Sequence, residues 1–335
     1  MKPPLALLLF LNVLFLWQNC LVAEVKRYKA DVCVYGGTAS GVMAAVAAHK
    51  EGSKVILVEP TRSLGGMTGG GINHLDWGKG ETVGGSTYKI LMEGLKDQKR
   101  AHGGHAKHGI GNKQYRERFK KLVKDRGITV IYEHRVGKVQ VGDETFDKPT
   151  RQQPIAIGEK IASKNKNNSI QSIILDYAPV DETGCPIPEP KKRNVIMVSA
   201  KVFIDCSYEG DLRAMSGVRS TWGRESGEHY DESLAGVRPS LWIHDIDPYV
   251  EPGNAESGLV PFVQDRKIGP LGSADSLTMG YCFRHEFDMS GKGIPIPEPT
   301  NYDPAEFEVY RRAIRDGVDI FSNRHMRTKL NKFTV

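Results

Sequence analysis

The stretch from Asp31 to Glu59 limits what this chain can fold into more than any other. A short apolar run, Asp31-Val32-Cys33-Val34-Tyr35, ends at Gly36-Gly37-Thr38-Ala39-Ser40-Gly41, and the small-residue stretch Val42 to His49 follows. Gly52 closes that stretch, and a second apolar run, Lys54-Val55-Ile56-Leu57-Val58-Glu59, ends in an acid. The order reads as strand, glycine turn, helix, strand. Two buried strands joined by a helix within about 30 residues form a right-handed parallel βαβ unit, which places the chain in the α/β class.

The turn carries a chemical implication. A diphosphate needs backbone NH groups aimed at it and no side chain in the way, and a helix N-terminus supplies the donors together with a favourable dipole. Gly36 and Gly41 hold the first and last positions of a GxGxxG pattern, and Thr38 stands where the general pattern has its middle glycine. Glu59 ends the next strand, where a carboxylate accepts both hydroxyls of an adenosine ribose. Together these residues predict a dinucleotide site; the alternative is a βαβ turn whose glycines serve only tight packing. The turn leaves NAD and FAD both open.

Further along, Tyr115, Phe119, Leu122 and Val123 recur at helical spacing and Gly127 stops the pattern. The spacing predicts an amphipathic helix over Tyr115–Arg126, followed by a strand over Ile128–Tyr132. Val136–Val141, Ile170–Asp176 and Asn194–Ser199 read as strands of a meander, interrupted by a polar insert (145–169) and a Pro-rich loop (178–193). The insert carries Asn167-Asn168-Ser169, a glycosylation sequon in a host that glycosylates. Lys201–Asp205 is the last strand of a first domain spanning 24–220. In the remainder, 221–335, Gly and Pro punctuate the chain until Asp303-Pro304-Ala305-Glu306 caps a helix with Phe307, Tyr310 and Ile314 on its apolar face.

With 39% apolar and 26% charged residues, the 335-residue chain has the composition of a folded protein of one large domain or two smaller ones. Lys2, the apolar run Leu5 to Trp17 and Leu21-Val22-Ala23 read as a signal peptide over 1–23, which predicts a secreted or periplasmic protein. An uncleaved anchor is the alternative, although the run is short for a bilayer span. The net charge of +6 is spread along the chain and argues against a nucleic-acid partner. Cys33, Cys185, Cys206 and Cys282 contain no CxxC, so neither zinc nor a dithiol mechanism is expected, and Cys33 and Cys206 read as packed thiols. His102, His105 and His108 stand among glycines that disfavour a helix, so a solvated basic loop is expected there and no metal site.

The residues after Glu59 narrow the cofactor. Glu59-Pro60-Thr61-Arg62-Ser63-Leu64-Gly65-Gly66-Met67 places a glycine pair shortly after the acid, and Thr68-Gly69-Gly70-Gly71 comes next. Later stands Ile204-Asp205-Cys206-Ser207-Tyr208-Glu209-Gly210-Asp211-Leu212. These stretches resemble the FAD-dependent oxidoreductase family, whose members have an FAD-binding fold of the glutathione-reductase type and carry GGTxxG, ExxxxxGGM and IDxxYEGDL. Arg224-Glu225-Ser226, Glu232 to Val237 and Gly280 to Arg284 extend the resemblance from about residue 30 to about residue 315.

The resemblance implies a Rossmann-like FAD-binding domain with a parallel sheet and a β-meander, plus a partial second region for substrate or cap. It implies FAD, held by Gly36, Gly37, Thr38, Ala39, Gly41, Glu59, Arg62, Gly65, Gly66, Met67, Val136, Asp205 and Gly210. The glycine pair would pass beside the dinucleotide toward the flavin, and the turn after Asp205 would approach from the second side. Chains that resemble this one usually continue well past residue 335 with a further glycine turn and helix over the flavin. A fragment, or a chain with an incomplete flavin site, is therefore expected.

Flavin supplies the redox chemistry itself, so few catalytic side chains need be visible. His74 and Asp76 are candidates for acid–base work, with Tyr208, Glu209 and Arg284 beside them; Arg284 either holds an anionic substrate or closes a salt bridge. Trp222, Trp242 and Tyr249 form a stacking surface or pack in a core. The expected activity is transfer of a hydride from an unidentified small molecule to FAD, with a second, unidentified acceptor reoxidising it. The alternatives are an exported carbohydrate-acting lyase or hydrolase, and a non-catalytic FAD-binding fragment.

Overall fold

The computed structural model describes residues 25–70, 84–86, 112–147, 169–218, 223–238, 245–266, 268–277, 284–286, 300–318 and 332–334, with isolated positions between 292 and 298. The strands are β1 (Lys26–Lys29), β2 (Val32–Tyr35), β3 (Val55–Glu59), β4 (Thr129–Tyr132), β5 (His134–Val141), β6 (Glu144–Phe146), β7 (Ile170–Tyr177), β8 (Lys192–Ser199) and β9 (Val202–Asp205). The helices among them are α1 (Ala39–Lys50), α2 (Gly66–Gly70), α3 (Asn112–Lys124) and α4 (Asp211–Met215). Two compact units result, Met1–Ser220 and Thr221–Val335.

In the first unit β4, β3, β2 and β9 form a parallel sheet in that order. The order follows from the βαβ rule: α1 carries the chain from β2 to a parallel neighbour, β3, and α3 does the same before β4. β9 returns to the free side of β2, pairing Tyr35 with Asp205. A second sheet has the order β1, β8, β7, β5, β6. Its β5, β7 and β8 are the expected meander, antiparallel throughout.

Residues along β2 and β3 alternate between two cores, because successive side chains of a strand point to opposite faces. Val32, Val34, Val55 and Leu57 pack under α1 and α3 with Val42, Ala45, Phe119 and Val123. Cys33, Tyr35, Ile56 and Val58 pack toward the second sheet with Val139, Ile173, Leu175 and Val198. Burying a Val or Leu side chain in this way contributes about 1.5–3 kcal/mol. Both strands are buried on both faces, so both read as unbroken apolar runs.

β1 has no counterpart in the hydrophobic pattern. Lys26-Arg27-Tyr28-Lys29 is mostly exposed and joins the sheet through parallel pairing with β8, Lys26 opposite Ile196. A charged edge strand resists pairing with further chains, which suits its position.

In the second unit, β10 (Arg284–Glu286) pairs antiparallel with β11 (Lys332–Thr334). A short 3-10 turn, Pro304–Phe307, leads into α5 (Glu308–Arg315). Asp303 caps the turn by accepting the Ala305 amide at 2.9 Å, as its sequence predicts. The expected apolar face is corrected: Phe307, Tyr310 and Ile314 are 42%, 53% and 51% exposed, and the buried positions are Arg312 and Ala313. Arg312 turns inward because its guanidinium donates to the carbonyls of Asp247, Tyr249 and Val250 and pairs with Glu308 at 2.9 Å. No helix among the described residues is long and apolar enough to cross a membrane.

Candidate functional site

The bend between β2 and α1 is built from four constraints. Gly36 has φ +92, a conformation that L side chains rarely adopt, and a Cβ there would lie 2.6 Å from the Ser207 amide nitrogen. Gly41 sits against the Gly36 carbonyl, which any Cβ would strike. Thr38 is the N-cap of α1, with φ −61 and ψ 175, and its hydroxyl accepts the Gly41 amide at 3.2 Å. Ala39 is half-buried and Ser40 exposed, so the first turn of the helix opens to solvent instead of packed side chains. With Gly41 capped, the amides of Ala39 and Ser40 have no acceptor within the helix.

Glu59 lies at this bend. Its Oε2 accepts the Gly37 amide at 2.6 Å and its Oε1 accepts the Thr61 amide at 2.7 Å. Burial holds the carboxyl above the usual carboxylate range; the hydrogen bonds from Thr61 and Gly37 pull it back down, and the nearby charge of Glu209 pushes it further up. A Cβ on Gly37 would strike the Leu64 side chain at 2.7 Å and the Glu59 Oε2 at 2.8 Å, so the close packing here needs glycine.

The second glycine segment joins the first through the backbone. The Gly65 amide donates to the Gly37 carbonyl at 2.8 Å, and Thr38 and Gly65 form a parallel bridge. Leu64, fully buried, packs against Gly37. The third segment arrives on β9: the Cys206 amide donates to the Tyr35 carbonyl at 2.7 Å. From there Tyr208 reaches over Gly66 and its hydroxyl accepts the Met67 amide at 2.8 Å. Three stretches widely separated in sequence, 36–41, 59–67 and 205–210, thus meet.

Several predicted residues take up tasks within the fold. Asp205 sits next to the bend, but its Oδ1 holds the Ser207 amide and hydroxyl at 3.0 and 2.7 Å and its Oδ2 the Arg213 amide at 2.8 Å. Gly210, with φ +69, is the N-cap of α4. Arg62 pairs with Glu133 at 2.8 Å. The Val136 amide is taken by the buried Tyr35 hydroxyl at 3.2 Å, and Val136 itself packs in the core between the sheets. Burial pushes the Tyr35 phenol well up.

His74, Asp76, Trp222 and Trp242, and the histidines 102, 105 and 108, lie outside the described residues, as do 1–23 and most of the polar insert. Arg284 lies on β10, opposite Thr334. Cys33 is buried, which pushes its thiol up to about 12, and half-buried Cys206 is also raised by burial. Thr61, Leu64, Ser207 and the Cys206 carbonyl were not singled out in the sequence. Thr61 and Leu64 stand inside the Glu59–Met67 stretch, which was the signal available for them.

This arrangement agrees with a comparison against known families: the FAD dependent oxidoreductase family matches residues 31–160 and 187–334. The chain belongs to the FAD-dependent oxidoreductase family. Among solved structures it is similar to L-proline dehydrogenase from P. horikoshii, at 14% identity and TM-score 0.28 over 61% of this chain and 24% of that one. It is similar to bacillithiol disulfide reductase from Bacillus cereus, at 14% identity and TM-score 0.30 over 53% of this chain and 39% of that one. A flavocytochrome c3 fumarate reductase in its open conformation gives 19% identity and TM-score 0.30, over 57% and 36%. The chain thus spans between 24% and 39% of the length of these three proteins. No curated protein sequence matches it.

The donor set of this family member fits the family's cofactor. The first helical turn, capped by Thr38 only at Gly41, leaves the Ala39 and Ser40 amides to offer a diphosphate, and a desolvated carboxylate beside it offers acceptors to ribose hydroxyls.

Proposed function

We propose that this protein oxidises a small molecule outside the cytoplasm, using FAD held at the β2–α1 bend. The observation that carries the reading is the 2.6 Å hydrogen bond from the Gly37 amide to the Glu59 carboxylate, which puts the ribose acceptor beside the diphosphate donors. Bound FAD supplies a two-electron acceptor for a hydride from substrate. The chain's own residues bind and orient it. The amides at the start of α1 take the diphosphate, and Glu59 takes the ribose hydroxyls. Gly65 and Gly66, stitched to the bend, let the backbone run close beside the cofactor. Acid–base work on the substrate falls to His74 and Asp76, which come after this glycine segment in sequence.

The apolar run Leu5 to Trp17 before Leu21-Val22-Ala23 supports export. N-terminal sequencing of the secreted protein is expected to begin after Ala23. The principal test is spectroscopic. Purified full chain, mixed with FAD and freed of excess, is expected to retain a yellow flavin spectrum that bleaches with dithionite and returns in air. A protein that keeps no flavin overturns the proposal.

A further inference from the structure

Thr38 stands where the general dinucleotide pattern has glycine, and it is 6% exposed. Its hydroxyl donates to the Cys206 carbonyl at 2.8 Å, accepts the Gly41 amide at 3.2 Å and lies 2.9 Å from the Ser40 hydroxyl. A threonine hydroxyl has one proton and two lone pairs. A carbonyl only accepts, so the single proton goes to Cys206, and Ser40 must be the donor in the third contact. The Thr38 hydroxyl is then saturated, with nothing left for a ligand. Ser40, although exposed, turns its hydroxyl to Thr38 and also meets the Cys206 thiol, so its proton is not aimed at a phosphate oxygen. At this turn the Ala39 and Ser40 backbone amides remain as donors.

We infer that Thr38 is a positioning residue for FAD: its side chain locks the N-terminus of α1 to the exit of β9 and fixes the amides of the bend before the diphosphate arrives. The inference rests on reading the bend as the FAD site. The Cys206 amide already ties this exit to Tyr35 on β2, so the hydroxyl closes a second link between β9 and the turn. Without the hydroxyl, the Cys206 carbonyl and the Gly41 amide lose their partner, and binding must then order what the fold had ordered beforehand. Restoring the glycine of the general pattern therefore weakens FAD binding.

The test is titration of the full-length apoprotein with FAD, following quenching of flavin fluorescence, for wild type, Thr38→Val, Thr38→Gly and Thr38→Ser. Thr38→Val and Thr38→Gly are expected to bind about tenfold more weakly, the equivalent of one hydrogen bond. Thr38→Ser, which keeps the hydroxyl, is expected to return to wild-type affinity. Far-UV circular dichroism checks that each variant folds. Thr38→Gly only removes atoms and adopts φ −61, ψ 175 without strain, so it keeps the test available where the valine variant does not fold. Unchanged affinity in Thr38→Gly, or equal losses in the serine and valine variants, overturns the inference while leaving the FAD site standing. A wild-type protein that binds no FAD removes the site itself.

Discussion

Tyr208 and Met67 are 141 residues apart in the chain, yet the Tyr208 hydroxyl accepts the Met67 amide at 2.8 Å. The contact requires that residue 66 be glycine, because a Cβ there would collide with the phenol oxygen. The side chain thereby closes the segment after Glu59 onto the segment after β9.

Tyr208→Phe removes that acceptor. Both residues are largely exposed, 59% for Tyr208 and 49% for Met67, so water replaces the hydroxyl and folding stability changes by less than about 1 kcal/mol. FAD affinity is expected to fall by about threefold to tenfold, because the glycine segment loses its tether. Fluorescence titration with FAD, alongside a thermal melt of the apoprotein, separates the two effects. Unchanged affinity with a displaced pH–rate profile would instead assign Tyr208 to acid–base chemistry.

Glu59 gives stability and cofactor affinity opposite pH dependences. Burial raises its folded pKa above the ordinary 4.5. The folded apoprotein therefore takes up this proton more readily than the unfolded chain, so the contribution of Glu59 to stability is fully present below about 4.5 and is lost as pH rises through the folded pKa. Ribose hydroxyls donate to the ionised form and favour it, so FAD affinity is strongest above the folded pKa and falls as pH drops through it. FAD titrations at a series of pH values between about 4 and 8 check the sign. Glu59→Gln is expected to flatten the profile and weaken binding at neutral pH. Both carboxylate oxygens accept backbone amides, and an amide NH2 at either one sets donor against donor, at a cost of about 1–3 kcal/mol.

Gly41→Ala tests the packing of the bend. The new Cβ meets the Gly36 carbonyl oxygen, a backbone atom that cannot swing aside. A loss of about 1–3 kcal/mol in folding stability is expected, together with loss of measurable FAD binding. Urea unfolding and the flavin titration read the two outcomes.

Tyr35→Phe probes the seam between the two sheets. It leaves the buried Val136 amide without its acceptor, at a cost of about 1–3 kcal/mol. The urea midpoint should fall with the slope unchanged, since the variant does not alter the surface exposed on unfolding.

The βαβ unit was legible in the sequence because its causes are local. Doubly buried strands read as unbroken apolar runs, and a helix must begin where glycines end a strand. Glu59 emerged from the same local pattern, being the acid at the end of the second strand. Lys26–Lys29 was illegible as a strand: it is held at a sheet edge by pairing with β8, with no apolar alternation to announce it. Along the 3-10 turn and α5, Phe307, Tyr310 and Ile314 carry helical periodicity but remain exposed, because three carbonyls between residues 247 and 250 draw Arg312 inward.

By itself, then, the sequence determined the chain's α/β class, the glycine bend and the acid that faces it, since period, turn chemistry and strand length act over a few residues. The tertiary structure alone decided what the polar side chains of the bend do. Thr38 is spent on Cys206, 168 residues away, Asp205 on its own turn, and Tyr208 on Met67. A hydroxyl or carboxylate satisfies whichever partner the packed backbone brings within about 3 Å, and that partner is set by how the sheets close.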